Sequence, residues 1–281
     1  MERAHEEPRK ITIYHAAAPT CWWTWGYEGA LNRVRAVYGD QVELRTFYGT
    51  VWEDLDAYLK ENELTADGLE DWAREAVDLM GVPIRTTYAA QEPRNLVPVT
   101  HAAMAAMRQG QEKGQRFVRA VLRRFVVEGQ DVTREDALAA AAAEAGLDLA
   151  AFQRDAADAE ARAEDVGHQG SGWPHLPIGF YNLAVTDGAN RTLLIDHAFD
   201  PQALEEAIDF LSGGTLTKQA PPDALAYLGA HGLAPTAELA RVTGVAAPEM
   251  EARLASWEKE GRVVRVVLAG AAHWSIPAGG P

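Results

Sequence analysis

The chain has 281 residues, 47% of them apolar, and 26 Lys and Arg against 41 Asp and Glu leave a net charge of −15. Length and apolar content suffice for one large domain or two smaller ones. The acidic balance excludes a general binder of nucleic acid or of anionic membrane, since both demand a basic face.

A single cysteine, Cys21, excludes an internal disulfide and a cysteine-rich metal centre. Residues Met1 to Lys10 are polar and mixed in charge and lack the apolar stretch of a secretory signal. No apolar run approaches the roughly 20 residues of a membrane span. The expectation is a cytoplasmic protein without membrane association, in a compartment that keeps thiols reduced.

In chain order, Ile11-Thr12-Ile13-Tyr14-His15 reads as a strand and Tyr27 to Val37 as a helix. Cys21 lies between them, at the start of that helix. Free backbone N–H groups and the helix dipole favour a thiolate there, by roughly 0.3–1 kcal/mol. Val42 to Tyr48 alternates apolar and polar residues and reads as a half-buried strand. From Glu53 to Glu164 the period turns helical. A helix is expected over Asp67 to Met80, stopped by Gly81 and Pro83. Phe117, Val118, Val121, Leu122, Phe125 and Val126 repeat at helical spacing. A further helix starts near Asp131 with Thr133 as its N-cap, runs through the alanine tract 139–143 and stops at Gly146. Another is expected over Asp148 to Ala163.

Strand character returns at Ile178 to Val185. The turn 186–190 leads into a paired strand, Arg191 to Ile195. Asp200 caps a helix from Pro201 to Leu211 that ends at Gly213-Gly214. After the linker signal Pro221-Pro222, helices are expected at Ala224 to His231, Thr236 to Val242 and Pro248 to Glu260. A hairpin, Val263 to Leu268 with Ala272 to Ile276, closes the chain.

Cys21-Trp22-Trp23-Thr24-Trp25-Gly26 resembles the Cys-Pro-Trp-Cys-Trp-Gly active-site segment of DsbA-type proteins, especially the cytoplasmic FrnE-like branch. Pro93 to His101, Phe125 to Val132 and Gly172-Trp173-Pro174-His175-Leu176 are similar to further segments of that family, in matching order. The resemblance spans about residues 10 to 213. It implies an α/β thioredoxin fold with a large helical insertion. The core is then residues 10–50 and 164–213, and the insertion is 51–163. Residues 214–281 resemble a winged helix, a small α+β domain.

The family's chemistry implies catalytic roles for Cys21 as nucleophile, Thr24 as stabiliser of its thiolate, and Pro174, cis in the family, as the group that presents substrate. Thr24 stands where the resolving cysteine belongs, so no internal thiol can release a mixed disulfide. Two readings stay open. One is monothiol redox, transferase or isomerase chemistry on a small thiol or a protein thiol, with glutathione or another low-molecular-weight thiol as co-substrate and no tightly bound cofactor. The other is a redox-inactive binding or adaptor protein that meets protein partners through its C-terminal module. Trp22, Trp23, Trp25, Trp173 and His175 are the candidate substrate-binding residues, beside the alternative that the aromatics are core. His15, His101, His168 and His197 are further histidines that could tune the thiol. No metal-ligand spacing is present. The presumed recognition helix carries Glu249, Glu251, Glu258 and Glu260, which argues against reading DNA.

Overall fold

The structure is a computed structural model, and it describes residues 10–88, 92–158 and 176–277. Four strands make the central sheet: β1 (Ile11–Ala17), β2 (Val42–Tyr48), β3 (Asn182–Thr186) and β4 (Thr192–Asp196), in the order β2-β1-β3-β4. β1 runs parallel to β2 and antiparallel to β3, and β3 is antiparallel to β4. β1 is central and buried on both faces, whereas edge strand β4 alternates half-buried and exposed residues. The β-α-β opening and β-β-α close form the thioredoxin fold.

Helix α1 spans Trp22–Tyr38, starting five residues before the expected Tyr27. Ile11, Ile13, Leu31, Val34 and Val37 join one continuous core under it. Gly26 lets α1 approach the helix α3 (Ala66–Met80), because a Cβ there would lie 2.5 Å from Met80 Sδ. α3 ends at Gly81 in the left-handed conformation (φ 62°), as its sequence signal predicts.

The insertion holds α2 (Leu55–Glu61), α3, α4 (Val97–Met107), α5 (Gln111–Leu122), α6 (Glu135–Glu144) and α7 (Leu149–Ala157). α5 continues into a π turn at Arg123–Val127, and Phe117 packs on Phe152 with ring centres 5.1 Å apart. Two expectations are corrected here. Thr133 does not cap α6, because its amide and hydroxyl both donate to Asp131 in a local turn and the helix starts at Glu135. α7 has its expected Asp148 cap but ends at Ala157, where Asp158 turns extended; residues 159–163 of the expected helix lie outside the described residues.

Helix α8 (Pro201–Ser212) follows β4 with Asp200 as its cap. β3 begins at Asn182, four residues later than the alternation at Ile178 suggests. Residues Ala224 onward form α9 (Ala224–His231), α10 (Thr236–Thr243) and α11 (Ala247–Lys259). A three-stranded sheet joins them, β5 (Ala234–Pro235), β6 (Val264–Leu268) and β7 (Ala271–Ser275), in the order β5-β7-β6. Leu228, Leu239, Val242, Met250, Leu254 and Trp274 build a second apolar cluster there. Within residues 221–277, helix, helix, helix and hairpin follow one another as the sequence implies, with the two-residue β5 added.

This C-terminal region packs along α1 through a buried polar network. Arg119 of α5 donates to Glu28 of α1 at 2.8 Å and to the carbonyls of His231 and Leu233 at 2.9 Å, and it pairs with Glu238 of α10 at 2.8 Å. Tyr227 donates to Glu238, and Asn32 donates to the Tyr227 hydroxyl at 2.8 Å. Arg241 of α10 donates to the carbonyl of Met80.

Candidate functional site around Cys21

β1 ends at Ala17, and a turn at 18–20 leads into α1. Cys21 closes this turn by donating its N–H to the carbonyl of Ala18 at 3.1 Å. Its own carbonyl accepts the first helical bond, from the Trp25 N–H at 3.2 Å. Cys21 is therefore the N-cap, with extended backbone angles (φ −96°, ψ 127°), and its side chain makes no capping bond. Thr24 sits one turn in. Its Oγ1 accepts the Ala18 N–H at 3.0 Å, fastening the turn to the helix.

The thiol is nearly sealed, with 4% of the residue exposed. Burial pushes its pKa up to about 11, opposed more weakly by the backbone N–H groups of Thr24 and Trp23 and by the Thr24 hydroxyl near the sulfur. The helix start acts in the direction expected from sequence, but desolvation of the charged form outweighs it.

An aromatic collar adjoins Cys21 in the same core cluster. Trp22 stands edge-on to Trp72 (ring centres 5.2 Å), Tyr88 (5.8 Å) and Trp23 (6.1 Å). Trp23 stacks on Phe199 at 5.8 Å and meets His197 at 5.4 Å. Edge-to-face and offset geometries like these add to the stabilisation from area burial alone. Trp22 and Trp23 are buried, yet the edge of Trp23 borders an open groove of about 280 Å³ with Trp72, Glu75, Leu79, Tyr181 and His197. Leu79 and Tyr181 are about half exposed there, at 52% and 47%.

Trp25 points away from this groove into the core. It is 1% exposed and has the Arg119 guanidinium 5.3 Å from its ring. His15 lies beneath α1, edge-on to Tyr27 at 5.5 Å. Burial, with Arg35 nearby, lowers its pKa to about 3, so its ring is neutral. Trp173, Pro174, His175 and His168 lie outside the described residues. Cys21, Thr24, Trp22 and Trp23 thus share one site, and Trp25 belongs to another. Sequence reasoning did not find Trp72, Tyr88 and Phe199. They lie far along the chain and carry no local signal beyond being aromatic.

Among the described residues, no group of three His, Cys, Asp or Glu is placed to hold a metal ion. No described helix is long and apolar enough to cross a membrane.

Known proteins are similar to this chain. A family profile described as Thioredoxin matches residues 14–164. The ClpXP adapter protein SpxH of Halalkalibacterium halodurans is 25% identical over 158 residues, covering 55% of this chain and 51% of the relative, so the match spans about half that protein's length. The ClpXP adapter protein SpxH of Shouchella clausii is 24% identical over 279 residues, covering 95% of this chain and 88% of that one. Among solved structures, the cytosolic disulfide reductase DsbM from Pseudomonas aeruginosa superposes with a TM-score of 0.54 at 18% identity, covering 71% of this chain and 97% of DsbM. At that identity the likeness is one of fold. With the family profile covering more than half its length, the chain belongs to the thioredoxin family, and its thioredoxin fold with a helical insertion is one that DsbM shares.

Proposed function

We propose that this protein is a binding adaptor on a DsbA-like fold, whose Cys21 is a buried structural thiol and not a redox catalyst. The observation that carries this reading is the contrast at one helix start. The thiol is sealed with its pKa pushed up to about 11, while the aromatic groove beside it stays open at Leu79 and Tyr181. A thiolate is the attacking species in disulfide exchange, and a thiol with this pKa supplies little of it at neutral pH. Thr24 in the resolving position leaves no internal release step. The SpxH relatives carry the name ClpXP adapter protein, and one of them aligns with nearly the whole chain. The adaptor reading gives the groove an apolar segment of a client protein, delivered to the ClpXP protease.

Two measurements test it together. Iodoacetamide should label Cys21 in the folded protein far more slowly than in urea at neutral pH. A client isolated by cross-linking in cells should be degraded by purified ClpXP faster in the presence of this protein or its Cys21→Ser variant, and not with Leu79→Asp or Tyr181→Asp. Rapid labelling of the folded protein, with glutathione-dependent disulfide turnover that Cys21→Ser abolishes, would overturn the adaptor reading in favour of monothiol chemistry.

A further inference from the structure

A second concavity lies where α1, the C-terminal ends of β1 and β2, α5 and the end of α9 meet. Its volume is about 490 Å³, inside the roughly 300–1,000 Å³ range of small-molecule sites. It shares no lining residue with the aromatic groove and is separate from it.

The charged groups of its walls differ in whether they are already satisfied. Glu28 accepts from Arg119, Glu112 pairs with Arg116, and Glu144 pairs with Arg123 and Arg124. Arg119 is saturated by two carboxylates and two carbonyls. Arg35 is different. It is exposed at the cleft, donates only to the Asn32 side chain at 2.9 Å, and has no carboxylate partner among the described residues. Deeper in, His15 is 4% exposed and its Nε2 has no hydrogen-bond partner. Thr46 is paired with His15 across the β1–β2 ladder, and Tyr48 lies one side chain further along the same face. No side-chain hydrogen bond holds either hydroxyl among the described residues. His15 is neutral because burial, with Arg35 close by, lowers its pKa to about 3. It can therefore donate one hydrogen bond at Nε2 without a charge of its own.

The unmet demand of this cleft is thus for an acceptor. Its carboxylates are committed, while one guanidinium, two hydroxyls and a buried imidazole are not. One free guanidinium matches one carboxylate, which it can hold through two parallel hydrogen bonds. A multiply charged phosphate would call for more free cations than Arg35 and the already paired Arg116 supply. We propose that this cleft binds a carboxylate ligand, its acid group on Arg35 and a neighbouring oxygen on Tyr48 and His15. That chemistry has two sources, a free small hydroxy acid and the C-terminal carboxylate of a peptide.

The test titrates the full-length protein, by calorimetry and by amide NMR shifts at Thr46 and Tyr48. Three probes are used: lactate, acetyl-Ala-Ala-Ala with a free C-terminus, and the same peptide amidated. Lactate binding alone identifies a small-acid site, and binding of the free-acid peptide identifies a chain-terminus site. Small-acid binding supports the proposal where Arg35→Gln weakens it about tenfold, and peptide binding supports it where, in addition, the amidated peptide binds at least about tenfold more weakly than its acid form. Tyr48→Phe should weaken it less, and Arg94→Gln, on a distant exposed pair, should leave it unchanged. No shift with either acid, equal binding of acid and amide, or unaltered binding by a folded Arg35→Gln protein overturns the proposal.

Discussion

The two flanks of α1 solve the same problem, burying a helix, by opposite means. On the Cys21 flank the collar of Trp22, Trp23, Trp72, Tyr88 and Phe199 is apolar and keeps the thiol neutral. On the flank that meets the C-terminal region, Glu28, Arg119, Glu238, Tyr227 and Asn32 form a buried ionic network. An apolar contact loses only its own packing when one member is trimmed. A buried ion network loses more, because the remaining charges stay in a medium that cannot solvate them. The first flank is built to exclude charge, and the second fixes where the C-terminal region sits.

The network should show the largest effect. Arg119→Met leaves Glu238 buried and Glu28 half-buried without their cation, and denaturant unfolding should record a loss of about 3–5 kcal/mol. Adding Glu28→Gln and Glu238→Gln to that variant should restore a large part of it. If the single variant costs no more than an exposed pair such as Arg74 with Glu70, the contrast between the flanks fails.

The apolar flank makes a prediction about pH. The folded Cys21 pKa is raised by burial from about 9 to about 11. The unfolded thiol therefore ionises first. The stabilisation is fully present below pH ~9 and is lost as pH rises from about 9 to about 11, by at most about 2–3 kcal/mol. Tyrosines and lysines titrate in the same range, so the measurement is the difference in the pH profile of stability between wild type and Cys21→Ala. The two profiles should converge towards pH 11, and parallel profiles would mean a solvated thiol.

The smallest effect concerns the hinge between the flanks. Thr24→Val keeps the shape but removes the acceptor of the Ala18 N–H. An unpaired buried N–H costs about 1–3 kcal/mol. Thermal unfolding should show that loss together with faster labelling of Cys21, because the same turn holds the cysteine in place.

The two flanks were unequally legible from sequence. Strand, helix and strand around Cys21, the helical insertion, the late β-β-α unit and the helices and hairpin after residue 221 follow from period, caps and turn residues. Those signals act over a few neighbouring positions. Asp148, Asp200 and Gly81 mark helix ends where the structure has them. Thr133 misleads because Asp131 captures its donors locally. The two residues of β5 are too few to show a period.

The order of elements, the lone thiol at a helix start and the missing resolving cysteine are all written in local residue pattern. The raised pKa of the thiol, the split of Trp22 and Trp23 from Trp25, and the seating of the C-terminal region on α1 arise from long-range packing. Each of those depends on side chains far apart in the chain, Trp72 and Tyr88 over Trp22, Arg119 between Glu28 and Glu238. Dielectric environment and charge pairing are properties of what surrounds a group in space, and local pattern carries no record of them.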